Sequence, residues 1–135
     1  MGAWGLGSFE NDDACDFLAD ATESGDLTLL REALDNVLTS TEYVEAPDAC
    51  NAIVAAEIIA AALGRPTQAA QQEEELTSWL SRIRPTIDNE LAAQALDALS
   101  RILAENSELR ELWEETDDFS DWQASVKELA LQLQT

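Results

Sequence analysis

Asp48-Ala-Cys-Asn-Ala-Ile-Val-Ala-Ala-Glu-Ile-Ile-Ala-Ala-Ala-Leu-Gly64 is the stretch of sequence that decides the fold. Before its closing glycine, only Asp48, Asn51 and Glu57 are not apolar. Pro47 fits the first helical turn, where its missing N–H is not needed, and Gly64 fits the left-handed position that ends a helix. Ala favours helix, and a helix that is apolar on nearly all sides is a buried one. We therefore predict a buried helix here, with the rest of the chain packed around it.

Apolar residues recur at helical spacing on both sides of this stretch, and no segment shows the alternation of a strand. With 135 residues, 46% of them hydrophobic, the chain is long enough for one domain with its own core. We predict an all-α, single-domain bundle over residues 1–135, with about seven helices around the Ala-rich helix. Residues 1–10 are predicted to form an ordered coil packed on the core. Asn11 is predicted to cap the first helix, and Thr86 a later one.

The charge of the chain is strongly negative, with 28 acidic residues against 7 basic ones and a formal net charge of −21. Such a surface repels nucleic acids and anionic membranes and attracts basic proteins and cations. Three explanations remain open: a solvated surface suited to a high-salt or acidic cytoplasm, a docking face for a basic protein, or mimicry of nucleic-acid charge. We predict no nucleic-acid or membrane partner and take a basic protein as the candidate partner. The oligomeric state stays open.

The segments that decide location predict a cytoplasmic protein. The start of the chain lacks the basic region and apolar run of a signal peptide, and Glu57 interrupts an apolar stretch that is already too short to span a membrane. Cys15 and Cys50 are the only cysteines, and both are predicted on apolar helical faces. We therefore expect two buried thiols and no disulfide, as in a reducing compartment.

The side chains available for catalysis are mainly carboxylates. The chain has no His, which excludes Ser-His-Asp triads, Cys-His pairs and ordinary zinc sites. The set Asp12, Asp16 and Asp20, or the acidic run at 111–121, could offer oxygen ligands to Mg²⁺ or Ca²⁺. Such clusters also arise by chance in so acidic a chain. We predict no catalytic residue, no metal site and no cofactor.

Glu57 stands apart from the other acidic residues because its sequence neighbours are apolar. A buried carboxylate is costly unless it is hydrogen-bonded, ion-paired or protonated. The candidate partners are backbone N–H groups of the glycine-rich opening, the Trp4 indole, Arg31 and Arg65. Glu57 either pins a neighbouring segment, or acts as a functional carboxylate in a pocket, or is exposed at the surface. Trp4 and Glu57 are the candidate binding residues.

The opening Met-Gly-Ala-Trp-Gly-Leu-Gly-Ser-Phe-Glu-Asn-Asp, residues 1–12, contains a Trp-Gly-x-Gly-x-Phe-x-Asn-Asp box. Together with segments 55–60 and 106–113, it resembles an uncharacterised family of small bacterial proteins, a domain of unknown function numbered four-two-five-nine. The resemblance spans most of the chain. It implies that the box and the Ala-Ala-Glu segment are shared features of one fold, and it implies no activity, cofactor or catalytic residue.

These observations favour a non-catalytic, cytoplasmic protein-binding module, inhibitor- or immunity-like, with an acidic surface. The alternative is a carboxylate-metal-dependent hydrolase of a small molecule. The two hypotheses differ in one structural feature, which is whether acidic residues from different helices converge in a concave pocket.

Overall fold

The structure, a computed structural model, describes residues 5–40 and 42–134, and within these ranges it contains eight helices and no strand. The helices are α1 (Asp12–Glu23), α2 (Thr28–Leu38), α3 (Ala46–Ala62), α4 (Gln68–Gln71), α5 (Glu74–Ile83), α6 (Asn89–Leu103), α7 (Glu108–Glu114) and α8 (Phe119–Leu133). The all-α prediction is confirmed, but the number of helices is eight rather than about seven. The additional helix is α4, a single turn in the polar stretch that separates α3 from α5.

Helix α3 is formed by the quoted apolar stretch, and its burial is nearly complete. Every residue from Ala52 to Ala60 is buried, including Glu57. Helix α3 contacts each of the other seven described helices. The Ala side chains are short, so α2 and α6 can approach the α3 backbone closely.

Hydrogen bonds at both ends of α3 explain where the helix begins and ends. At the C-terminal end Gly64 has φ 84°, a left-handed conformation that favours glycine. The N–H groups of Gly64 and Arg65 donate to the carbonyls of Ala61 and Ala60 at 3.0 Å each, which is a Schellman motif. The predicted left-handed stop is therefore confirmed. At the N-terminal end the Ala46 N–H donates at 2.7 Å to a carboxylate oxygen of Glu108, which lies in α7.

The connector between α2 and α3 holds α7 beside the start of α3. Val44 is fully buried and pairs with Ser107 in an isolated parallel bridge. Its N–H donates to the Asn106 carbonyl, and its own carbonyl accepts from the Glu108 N–H, both at 2.9 Å. These bonds bring α7, with its tryptophan, against α3.

The helix caps agree with the sequence at one position and correct it at another. Asn11 caps α1, because its side-chain oxygen accepts from the Ala14 N–H at 2.8 Å. The prediction that Thr86 caps the following helix is wrong. Asp88 is the cap of α6 and accepts from the Leu91 N–H at 2.7 Å, since its carboxylate both satisfies the amide and complements the helix dipole.

Candidate functional site

A cavity of about 70 Å³ lies between residues 5–10, called the opening coil below, and the helices of the bundle. Its lining comes from residues 5–8, the start of α1, and helices α3, α7 and α8. Cys50 and Ile53 of α3, Trp113 of α7 and Trp122 of α8 contribute apolar surface. The opening residues and the start of α1 are neighbours in sequence, but α3, α7 and α8 are distant from them, so only the folded protein forms the cavity.

Asp12 and Asp13 are the only charged residues among those described in the cavity lining. Both are exposed and belong to the first turn of α1. All seven basic residues lie in the described part of the chain, and none of them lines the cavity. The site is therefore apolar and aromatic inside and negatively charged on one side.

The opening coil over this cavity is shaped by Glu10. The Glu10 carboxylate accepts a hydrogen bond from the Gly7 N–H at 3.2 Å. It also occupies the space where a side chain at Gly5 or Gly7 would lie. These two glycines therefore make room for the Glu10 side chain, which sequence reasoning had not singled out. Trp4, predicted as a binding residue, lies outside the described residues.

Glu57 is buried, with 2% of its surface exposed, and lies outside the cavity lining. Its carboxylate accepts a hydrogen bond from the Thr67 hydroxyl at 2.7 Å. Burial raises the pKa of Glu57 above its ordinary value of 4.5, hydrogen bonds from Ser8 and Thr67 lower it, and the negative charge of Glu128 raises it further. Because desolvation is the largest of these effects, the protonated form is favoured relative to an exposed glutamate.

The partners of Glu57 differ from those expected. Thr67 and Ser8 are hydroxyl donors, whereas backbone N–H groups and arginines were the predicted partners among the described residues. Arg31 pairs instead with Asp88 at 3.6 Å, and Arg65 donates to the Gln132 carbonyl at 2.6 Å. From the opening residues, the Ser8 hydroxyl acts on Glu57 by lowering its pKa. Any binding role of Glu57 stays a prediction.

The two cysteines have different environments. Cys50 is buried, and burial, followed by the negative charge of Asp13, raises the pKa of its thiol to about 12. The thiol is therefore neutral at physiological pH. The prediction that Cys15 is buried is wrong, because this side chain is exposed. The inward face of α1 passes through Ala14 and Leu18, and Cys15 lies next to that face.

The acidic residues do not assemble into a ligand set for a cation. In residues 5–40 and 42–134, no group of three His, Cys, Asp or Glu side chains is placed to hold a metal ion. Asp12, Asp16 and Asp20 are exposed on α1, and the acidic residues of 111–121 are exposed as well.

A second concavity, an open groove of about 470 Å³, lies between the end of α3 and helices α4 and α5. Its only charged residue among those described is Arg84. The cavity under the opening coil contains acidic residues from α1 alone. In these two concave sites, therefore, acidic residues from different helices do not converge.

The comparison with protein families identifies the chain. Residues 2–125 match the family described as Domain of unknown function (DUF4259). The chain belongs to this family. This family is defined by a domain of unknown function, so membership shows which proteins the chain is related to but not what it does. No curated protein and no solved structure matches the chain. None of the helices in the described ranges is both long and apolar enough to cross a membrane.

Surface charge in this family member is largely uncompensated. Of the 28 acidic residues, 24 are exposed. The described residues form only two ion pairs, Arg31 with Asp88 and Arg110 with Glu114. Like charges that are not paired repel one another in the compact state.

Salt should therefore stabilise the protein. We expect the melting temperature to rise between about 0.05 and about 0.5 M sodium chloride, because the screening length falls from above to below about 10 Å in this range. Thermal unfolding followed by circular dichroism measures the effect. The double variant Asp16→Asn/Asp20→Asn, with less repulsion to screen, should respond less. A melting temperature that stays constant or falls would contradict this expectation.

Replacing Glu57 by Gln should change the pH dependence of stability. The folded carboxyl has a raised pKa, so its stabilising contribution is complete below about pH 4.5 and is lost as the pH rises through the folded value. Gln stays neutral, so Glu57→Gln should become steadily more stable relative to the wild type as the pH rises above about 4.5. Urea unfolding at a series of pH values measures the difference. The exposed Glu32→Gln is the matched control, and an equal trend in both variants would contradict the assignment to burial.

Proposed function

We propose that this protein is a non-catalytic, cytoplasmic module that binds a basic protein through its acidic surface, in the manner of an inhibitor or immunity protein. The observation that carries the proposal is the exposure of 24 acidic residues with only two ion pairs among the described residues. Uncompensated charge of one sign attracts a partner of opposite charge from a distance and accelerates its association.

The distribution of the charge supports a docking role for one part of the surface. Helix α1 and segment 111–121 carry exposed acidic residues and contain no basic residue. Both border the cavity, α1 through Asp12 and Asp13, and segment 111–121 through Trp113. We call the exposed acidic residues of these two segments the acidic rim. An apolar, aromatic depression bordered by two acidic segments has features of an interface, with a hydrophobic centre and a polar edge.

The arrangement of the acidic residues favours binding over hydrolysis. A carboxylate-metal hydrolase needs oxygen ligands that meet at one point in a concave site. In the two concavities the acidic residues come from a single helix or are missing from the described lining. Calorimetry that showed stoichiometric, micromolar binding of Mg²⁺, Mn²⁺ or Ca²⁺ at physiological salt would favour the hydrolase instead.

Affinity capture tests the proposal. The immobilised protein should retain a basic protein from native lysate at about 0.1 M sodium chloride and release it at about 0.5 M, since salt screens the attraction. A rim variant that replaces four acidic residues should lose this partner: Glu114→Gln, Glu115→Gln, Asp117→Asn and Asp118→Asn. The matched control replaces four exposed acidic residues of α2 and α6: Glu32→Gln, Asp35→Asn, Glu90→Gln and Asp97→Asn.

The comparison of the two variants separates the possible outcomes. Loss of the partner in the rim variant alone supports docking at the acidic rim. Equal loss in both variants would show that diffuse charge, rather than this surface, attracts the partner. Retention in both would mean that the acidic surface is solvated and has no docking role.

A further inference from the structure

The cavity under the opening coil combines three features that no sequence segment shows alone. Its walls include Trp113 and Trp122, the charged groups in its described lining are Asp12 and Asp13, and none of the seven basic residues lines it. We propose that this cavity binds the side chain of a lysine presented by the basic partner. This inference rests on the proposed function and names the group that the site recognises.

The charges around the cavity favour a cation. Asp12 and Asp13 form no ion pair within the described residues. The positive end of the α1 dipole amounts to about half an elementary charge, which is smaller than two carboxylates. Asp12, Asp13 and Cys50 line the same cavity, so the two carboxylates face an occupant directly. An anion would be repelled here.

The aromatic and apolar walls suit the rest of a lysine side chain. Trp113 and Trp122 are buried, and Trp122 stacks on Phe119 with ring centroids 6.1 Å apart, which holds this ring in place. An ammonium group near an indole face gains cation–π attraction, and Cys50 and Ile53 offer apolar contact to the methylene groups.

The size of the cavity also fits this occupant. One water-sized group needs at least about 10–15 Å³, so about 70 Å³ has room for roughly five to seven such groups. A lysine side chain has four carbons and one nitrogen.

A small lysine analogue tests the inference on the intact protein. n-Butylammonium chloride reproduces the four carbons and the ammonium group, and 1-butanol is its neutral counterpart. Indole N–H signals report the position of binding in two-dimensional NMR, with ionic strength held constant by sodium chloride. The signals are assigned with Trp113→Phe and Trp122→Phe. The indole of Trp79, which donates to the Ser24 carbonyl at 2.8 Å outside the cavity, serves as the internal control.

Butylammonium should shift the signals of Trp113 and Trp122 in a saturable manner and leave that of Trp79 unchanged. We expect 1-butanol to bind at least about tenfold more weakly, because it lacks attraction to the two carboxylates. Asp12→Asn/Asp13→Asn should weaken butylammonium binding by a similar factor. Asp16→Asn/Asp20→Asn removes the same charge from the same helix outside the cavity lining, and we expect a change of less than about threefold.

Several results would overturn the inference. It fails if butylammonium shifts neither cavity tryptophan, if 1-butanol binds equally well, or if the two double variants behave alike. Butylammonium and 1-butanol are compared on the wild-type protein, so this comparison decides the question even if a substitution of the aspartates disturbs folding.

The inference and the proposed function can fail separately. If the rim variant loses a basic partner but butylammonium does not bind, the docking role stands and the lysine site is wrong. If butylammonium binds but no basic partner depends on the acidic rim, the protein-binding role is wrong and the cavity is a site for small amines.

Discussion

Replacing Glu57 by Ala should lower the free energy of unfolding by about 2–4 kcal/mol, although the residue is acidic and its neighbours are apolar. The Glu57 carboxylate accepts from the Thr67 hydroxyl at 2.7 Å, and the Thr67 oxygen in turn accepts from the Ala70 N–H at 3.2 Å. Thr67 caps α4, so the glutamate of α3 supports the start of the next helix. The Ala variant leaves a void and deprives the buried Thr67 hydroxyl of its acceptor.

Glu57→Gln is the matched variant for this experiment. It keeps the volume of the side chain and an oxygen that can accept from Thr67, and like Ala it removes the cost of burying a carboxylate. We expect it to stay within about 1 kcal/mol of the wild type near neutral pH. The exposed Glu32→Ala should change stability by less than about 0.5 kcal/mol. Urea unfolding measures all three variants, and a Glu57→Ala protein as stable as Glu57→Gln would show that the hydrogen bond and packing contribute little.

Trp79→Ala should have the largest effect on stability, a loss of about 3–5 kcal/mol. Trp79 is only 2% exposed, and its indole N–H donates to the Ser24 carbonyl at 2.8 Å, where α1 ends. The residue therefore joins α5 to α1 through both packing and a hydrogen bond. Its removal opens a void and leaves a carbonyl without its donor.

Trp79→Phe separates the two contributions. The ring of Phe refills much of the space but cannot donate, so we expect a loss of about 1–2 kcal/mol. Leu131→Ala removes a large apolar side chain that is 65% exposed, and it should change stability by less than about 0.5 kcal/mol. If Trp79→Ala were as mild as Leu131→Ala, the described packing of α5 on α1 would be incorrect.

The parts of the fold that were predictable from sequence are those set by local patterns. A nearly continuous apolar run predicted the burial of α3, and Gly64 predicted its end, because φ 84° is unfavourable for other residues. The helix caps were harder to predict from the sequence. Thr86 and Asp88 are both capping residues two positions apart, and the choice between them depends on which one reaches an unpaired amide. Cys15 borders the inward face of α1, where a small side chain can lie either in the core or at the surface. Its exposure was therefore not evident from the sequence.

The candidate site was less predictable, since it depends on how the helices are placed. Glu57 was recognisable as a buried acid, but its partner Thr67 follows a tight turn, and no spacing rule brings a hydroxyl there. The cavity joins Asp12 to Trp122 across more than one hundred residues of sequence. Local periodicity describes each helix by itself and contains no information on which side chains meet between helices.

The association rate of the captured basic partner, measured against sodium chloride concentration, tests the proposed docking role most directly. If the acidic rim steers the partner, the rate constant should fall at least about tenfold between about 0.05 and about 0.5 M salt. The rim variant should start from a lower rate and depend less on salt, while the variant of α2 and α6 should behave like the wild type. A rate constant that does not respond to salt, or that is equal in all three proteins, would contradict a docking role for this surface.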